Sequence, residues 1–479
     1  MRPSLLIVTT GFTYCIVTGQ MAFGAAFRRG SASSTSRLDL ISTLSLVANS
    51  PSISDTRLSQ IASSILSNLS QIKRYEDPTI EPVLSTWDKI SPILTNGSAD
   101  ILGFANEIAA SGLIPPSILS FLNDYIDISL NSIYNNNPPS RNLSIYPFKA
   151  KGDAPYSVAE KFLRSAIHIP NSFSYGKEKK IPVLLVPGTA VPAGTTFYFN
   201  FGKLGAALPE SDIVWVNIPR ASLGDIQYNA EYVAYAINYI STLSSSKIAV
   251  ISWSQGALNT QWALKYWPST RDTVEDFVAI SPDFHGTVVT WFVCPLLSLI
   301  FCTPSTWQQG WDAEFIKVLR DGGGDSAYVP TTTIYSSFDR VVKPMSGENA
   351  SAILLDSRGV GVSNNNLQTI CANKAAGGVY SHEGVLYNPI AWALTVDAVH
   401  HNGPGNISRI NIEKICEQVV PPQLGLIDIL GTEAIMLVAL AELIAYLPKA
   451  FGEPSIASYA FQQDRYRREA LFLRPLDKS

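Results

Sequence analysis

Charged residues are scarce in this 479-residue sequence: Asp, Glu, Lys and Arg make up 15 % of it, and the formal net charge is −4. Nothing in that balance suggests nucleic acid, which wants Lys and Arg clustered on one face, and none is expected as a partner. Histidine is equally sparse, with five residues, so a general base has few places to sit. Cysteine also numbers five. Cys15 falls in the N-terminal apolar run, and Cys294, Cys302, Cys371 and Cys416 remain as an even set, as an oxidising compartment favours. Internal repeats are absent, which excludes solenoids and propellers. Apolar runs of membrane-spanning quality are lacking too. The N-terminal run is too short, and the stretch Leu424–Leu447 is broken by Asp428, Glu433 and Glu442 and weakened by Gly425 and Gly431.

What is present is apolar material, 46 % of the chain, enough for a large core and for more than one domain. The start reads as a secretory leader over residues 1–26: Arg2, an apolar run from Leu5 to Val17, then small residues Gly24, Ala25 and Ala26. Sequons at Asn68, Asn96, Asn142, Asn349 and Asn406 agree with a secreted glycoprotein. Residues 27–150 form a second region, rich in Ser, Leu, Ile and Asn. Leu58, Ile61, Ile65 and Leu69 recur at helical spacing there, and the region reads as a mainly helical extension or propeptide.

From residue 151 to 479 the texture changes. Short apolar runs at Ile181–Pro187, Ile213–Val216, Lys247–Ile251, Phe277–Ile280 and Thr331–Tyr335 alternate with helical patterns at Tyr228–Leu243 and Leu258–Tyr266. Strands buried on both faces and alternating with helices imply an α/β fold, a mostly parallel sheet with helices on both faces.

One run carries chemistry. Ile248-Ala-Val-Ile-Ser-Trp-Ser254-Gln-Gly256 places a serine between a strand and a helix, with small neighbours. This is the nucleophile-elbow pattern of α/β-hydrolases, with Ser252 in place of the first glycine. The base follows nucleophile and acid in that fold. His168 precedes Ser254, His285 comes too early, and His400 and His401 sit in a polar loop, which favours His382. The acid belongs after a strand and before His382. Asp339 ends the run Thr331-Thr-Thr-Ile-Tyr-Ser-Ser-Phe-Asp and fits; Asp283 is its competitor. Oxyanion donors are expected at the N–H of Gln255, directly after the nucleophile, and in the loop Pro187-Gly-Thr189, where Thr189 adds a hydroxyl.

Leu185-Val-Pro-Gly-Thr189, Ser252-Trp-Ser-Gln-Gly256, Ser281-Pro-Asp-Phe-His-Gly-Thr287, Pro304-Ser-Thr-Trp-Gln-Gln309 and Val329 to Asp339 follow one another in an order that resembles the fungal lipase B family, of the Candida antarctica lipase B type. Pro448-Lys449 and Glu453-Pro454 extend the resemblance, which covers residues 154 to 465. It implies an α/β-hydrolase acting as triacylglycerol lipase or carboxylesterase, with Ser254, Asp339 and His382 as triad and Thr189 and Gln255 as oxyanion hole. It places Trp253 at the floor of the alcohol side and Asp283 beside the acyl side. It matches Cys371 and Cys416 to a family disulfide. Cys294 and Cys302 are additional and are expected to staple the apolar loop between them. No cysteine stands where the family's early bridge would be, and Gly452 replaces a cysteine of its C-terminal bridge.

The expectation is a secreted enzyme of lipid degradation that forms an acyl-enzyme on Ser254. The alternative is an acyltransferase or biosynthetic esterase with the same triad. Neither needs a metal or cofactor. The partners expected are a lipid or ester substrate and a transient lipid interface, with no obligate protein partner. Leu437, Leu440 and Ile444 recur at helical spacing near the C-terminus and are expected to line the substrate cleft, opposite the apolar run Trp291–Cys302.

Overall fold

Side chains two apart on a strand share a face, so an apolar run without alternation must be covered on both sides. In the computed structural model, which describes residues 129–139, 144–290, 294, 302–401 and 403–461, these runs become the centre of a seven-stranded sheet. The expected leader, most of the extension, the sequons at Asn68, Asn96 and Asn142, and the run between Cys294 and Cys302 lie outside the described residues.

The strands are β1 (Ile167–His168), β2 (Ile181–Val186), β3 (Ser211–Val216), β4 (Ile248–Trp253), β5 (Val274–Ile280), β6 (Thr331–Tyr335) and β7 (Val362–Asn366). Their order across the sheet is β1-β3-β2-β4-β5-β6-β7. Only β1 is antiparallel, pairing with β3; the others run parallel. On β2, Val183 and Leu185 face one core cluster, while Leu184 and Val186 face the other. On β4, Ala249, Ile251 and Trp253 divide in the same way from Ile248 and Val250.

The helices that position the site are α1 (Ala193–Phe197), α2 (Ile226–Ser244), α3 (Gln255–Tyr266), α4 (Pro389–His400), α5 (Leu426–Glu433) and α6 (Ile435–Ala445). Helices α2 and α3 cover the face of Leu184 and Val250. Helices α4, α5 and α6 cover the face of Leu185 and Trp253. The α/β-hydrolase architecture expected from the sequence is therefore the one found.

Two strands were not legible beforehand. β1 has only two residues. β7 reads Val-Ser-Asn-Asn-Asn and has no apolar alternation. It is an edge strand tied down by polar contacts: Asn365 Nδ2 donates to the Thr333 carbonyl at 3.0 Å, and Thr333 Oγ1 donates to Asn364 Oδ1 at 3.0 Å. A polar edge also discourages pairing with another chain.

The apolar C-terminal stretch folds as two short helices, α5 and α6, separated at Ala434. Among the described residues no helix is long and apolar enough to cross a membrane. Leu437 and Leu440 are each 1 % exposed, in the cluster that holds Trp253. They were expected as walls of a cleft. Helix α6 has buried residues all round, including Val438, Ala439 and Ala441, and both leucines sit among them. The side chain of Ile444 lies outside the described residues.

The last part of the extension packs onto this body. Trp215 Nε1 and Asn217 Nδ2 both donate to the Leu130 carbonyl at 2.8 Å. Asn131 brackets Thr195 on α1: its Nδ2 donates to the hydroxyl at 2.8 Å, and its Oδ1 accepts from the Thr195 N–H at 2.9 Å.

Candidate active site

The turn from β4 into α3 forces Ser254 to φ 55°, ψ −131°, a region that non-glycine residues avoid. Such strain persists only where the surroundings over-determine it, and it marks functional turns. The surroundings here are tight. Ser254 N–H donates to the Ile280 carbonyl at 2.9 Å. A Cβ at Gly256 would lie 2.5 Å from the Val186 carbonyl oxygen. A Cβ at Gly188 would lie 2.9 Å from both Ser254 Cβ and Trp253 Cε3. The two glycines therefore let the loop after β2 close directly over the serine. Ser252 replaces the usual first glycine and is fully buried, with no partner for its hydroxyl among the described residues.

His382 Nδ1 is 2.6 Å from Asp339 Oδ2, and both side chains are buried. The second oxygen of Asp339 accepts from the N–H groups of Val341 and Val342 at 2.8 and 2.9 Å, which fixes the carboxylate's rotation. The His382 carbonyl accepts from Ser281 Oγ at 2.9 Å and from Trp253 Nε1 at 3.2 Å. The Trp253 ring centroid is 5.1 Å from that of His382. The residue before Ser254 thus carries the histidine loop: Trp253, at the end of β4, holds His382, which pairs with Asp339 in the loop after β6.

The competitors stand elsewhere. His168 stacks on Trp215 at 4.3 Å. His285 is largely buried, and loss of solvation pulls its pKa down to about 4. His400 Nδ1 pairs with Glu210 at 2.8 Å, and His401 Nδ1 with the Asp397 carbonyl at 2.9 Å, both at the surface. Asp283 is fully buried, and neither carboxyl oxygen has a hydrogen-bond partner among the described residues. Burial pushes its pKa up to about 7, His382 opposes that rise and Asp339 adds to it. It lies within electrostatic reach of the histidine, but the short hydrogen bond belongs to Asp339.

Gln255 is the first residue of α3, where a backbone N–H has no intrahelical acceptor. Its side chain is committed: Nε2 donates to the Ser222 carbonyl at 2.9 Å, and Oε1 accepts from Thr189 Oγ1 at 2.7 Å and from Gln309 Nε2 at 3.1 Å. The Thr189 hydroxyl was expected as a third oxyanion donor. It has one proton, which here faces Gln255 Oε1 at 2.7 Å and Gln309 Oε1 at 3.1 Å, so it reaches a substrate only by turning away from both. Gln309, a link in this network, was not singled out from the sequence.

The cysteines divide. Cys371 and Cys416 form a disulfide. Cys294 and Cys302 do not: both are buried thiols, and they hydrogen-bond to each other. The expected staple is therefore not formed: two buried thiols stand in its place.

No protein-family model matches the chain. A curated lipase B from Pseudozyma antarctica is 31 % identical over 283 residues, covering 58 % of this chain and 79 % of that protein. The chain belongs to the lipase B family. The crystal structure of Aspergillus fumigatus lipase B superposes with a TM-score of 0.81 at 62 % identity, covering 88 % of this chain and 99 % of that one. The resemblance drawn from the motifs and the fold drawn from the strand pattern therefore agree with these lipase B relatives.

Proposed function

We propose that this lipase B family member hydrolyses carboxylic ester bonds of acylglycerols or related lipophilic esters through an acyl-enzyme on Ser254. The observation that carries this reading is the strained Ser254 turn joined through Trp253 to a buried His382–Asp339 pair with a 2.6 Å hydrogen bond. Asp339 holds the proton on Nδ1, which leaves Nε2 as the base. Ser254 Oγ attacks the ester carbonyl while Nε2 takes its proton. The N–H groups of Gln255 and Thr189 receive the charge that develops on the carbonyl oxygen. Collapse expels the alcohol, which leaves with the proton from Nε2. Water then repeats the sequence on the acyl-enzyme and frees the acid.

Trp253 would bound the alcohol side, Asp283 the acyl side, and Leu437, Leu440 and Ile444 a more distant wall. The apolar N-terminal run and the Cys371–Cys416 disulfide support export to an oxidising compartment. A series of p-nitrophenyl esters of increasing chain length, with triolein alongside, tests the reading. Hydrolysis by the wild type that Ser254→Ala abolishes across the series is expected. Hydrolysis that survives Ser254→Ala would refute it.

A further inference from the structure

Two glutamates sit behind the histidine loop, and the reaction as described uses neither. Glu383 directly follows His382, and Glu433 ends α5; each is 1 % exposed. Burying two carboxyl groups side by side is costly unless one stays protonated and gives its proton to the other. The hydrogen bonds say which one. Glu433 accepts from Tyr387 Oη at 2.6 Å, from Ser381 Oγ at 3.1 and 3.2 Å, and from the Glu383 carboxyl. Three hydroxyl donors converge on one carboxylate, and all three belong to residues 381–387. Glu383 Oε1 has no hydrogen-bond partner among the described residues.

We propose that Glu433, with the acid proton of Glu383, is the positioning residue of the His382 loop, clasping Ser381, Glu383 and Tyr387 so that the imidazole keeps its place between Asp339 and Ser254. Ser381 passes the restraint on, since its Oγ also accepts the Gly384 N–H at 2.8 Å. On the other side the loop is held at the His382 carbonyl by Trp253 and Ser281. The imidazole is thus fixed from both flanks, and the second flank is α5, which continues into α6. The groups that face the pair electrostatically are Tyr387 and Asp339, with Tyr380 acting on Tyr387. Burial, Glu433 and Asp339 all push the Glu383 pKa well above the usual carboxyl range.

That direction gives the test a sign. An acid whose folded pKa lies above its unfolded value contributes stability in full below about pH 4.3 and loses it as pH rises toward the folded pKa. Glu383→Gln supplies a permanent N–H donor in place of the titrating proton. Its Tm relative to wild type should therefore rise steadily from pH 5 to pH 9, and its kcat should fall off less at alkaline pH. Glu433→Ala should lower kcat by about tenfold to a hundredfold with KM within about threefold, as misplacement of a catalytic group does. Glu433→Gln should recover most of the loss, because its amide oxygen still accepts from Tyr387 and Ser381. A Tm difference between Glu383→Gln and wild type that stays flat with pH overturns the shared proton, whether or not Glu433→Ala folds. A kcat for a folded Glu433→Ala within threefold of wild type overturns the positioning role. The proposal rests on His382 being the base, yet the two can fail separately. Hydrolysis that survives Ser254→Ala refutes the catalytic reading, while the pH dependence of Tm still judges the pair.

Discussion

Asp339→Asn tests the hydrogen-bond geometry more sharply than removal of the side chain does. The substitution is isosteric, and the structure decides how the new amide must sit. Oδ1 of Asp339 accepts two backbone N–H bonds, from Val341 and Val342, so the amide oxygen has to take that side. The NH₂ group then faces His382 Nδ1, where Oδ2 stood at 2.6 Å. A donor in that place selects the wrong imidazole tautomer: Nδ1 becomes the acceptor and Nε2 carries the hydrogen. The base facing Ser254 is lost although no atom has moved. The expected drop in kcat is about 10⁴-fold, equivalent to about 5 kcal/mol of transition-state stabilisation. Both backbone bonds survive, so Tm should shift little. Initial rates on p-nitrophenyl butyrate, with a thermal melt on the same sample, measure both quantities. A folded Asp339→Asn enzyme with kcat within about tenfold of wild type would refute the assignment of Asp339 and return attention to Asp283.

Other expectations follow from single contacts. Gly188→Ala brings a Cβ within 2.9 Å of Ser254 Cβ and Trp253 Cε3, so the loop must retreat. The loss of one oxyanion donor should cost about 10²-fold to 10³-fold in kcat on short esters, and an unchanged rate would remove this loop from the hole. Leu440→Ala separates the two roles open to a residue that is 1 % exposed. A wall residue gives higher relative rates on long esters, with short esters changed by less than about threefold. A core residue instead gives a loss of about 3 kcal/mol in stability and an unchanged chain-length profile, which would end the wall assignment. The facing thiols of Cys294 and Cys302 should join under oxidant, and peptide mapping of the oxidised chain should then return that link beside Cys371–Cys416. A Cys302–Cys371 peptide would contradict both pairings.

The centre of the sheet was legible because its strands are apolar on both faces and leave no other way to be buried. The elbow was legible because strand, serine and helix are contiguous, and chain order then narrowed base and acid to a few residues. Contacts distant in sequence left no such trace. Glu433 read only as an interruption in an apolar stretch, since its partners Ser381 and Tyr387 are 52 and 46 residues away. β7 escaped because a run of asparagines shows no period, although its side chains bond within the sheet edge. Leu437 and Leu440 have the spacing of a helix face, and that spacing is the same whether the face meets substrate or core. For Cys294 and Cys302 an even count suggested a bond, while the structure leaves two thiols in contact.

The claim on which the account depends most is that Ser254 carries the acyl group. A fluorophosphonate probe followed by peptide mass mapping tests it directly, because the probe bonds only to a serine that is deprotonated as it attacks. The account predicts one phosphonyl group per chain, on the peptide containing Ser254, with labelling and ester hydrolysis lost together and none of either in Ser254→Ala. Labelling at another residue, or hydrolysis that persists in Ser254→Ala, would contradict it.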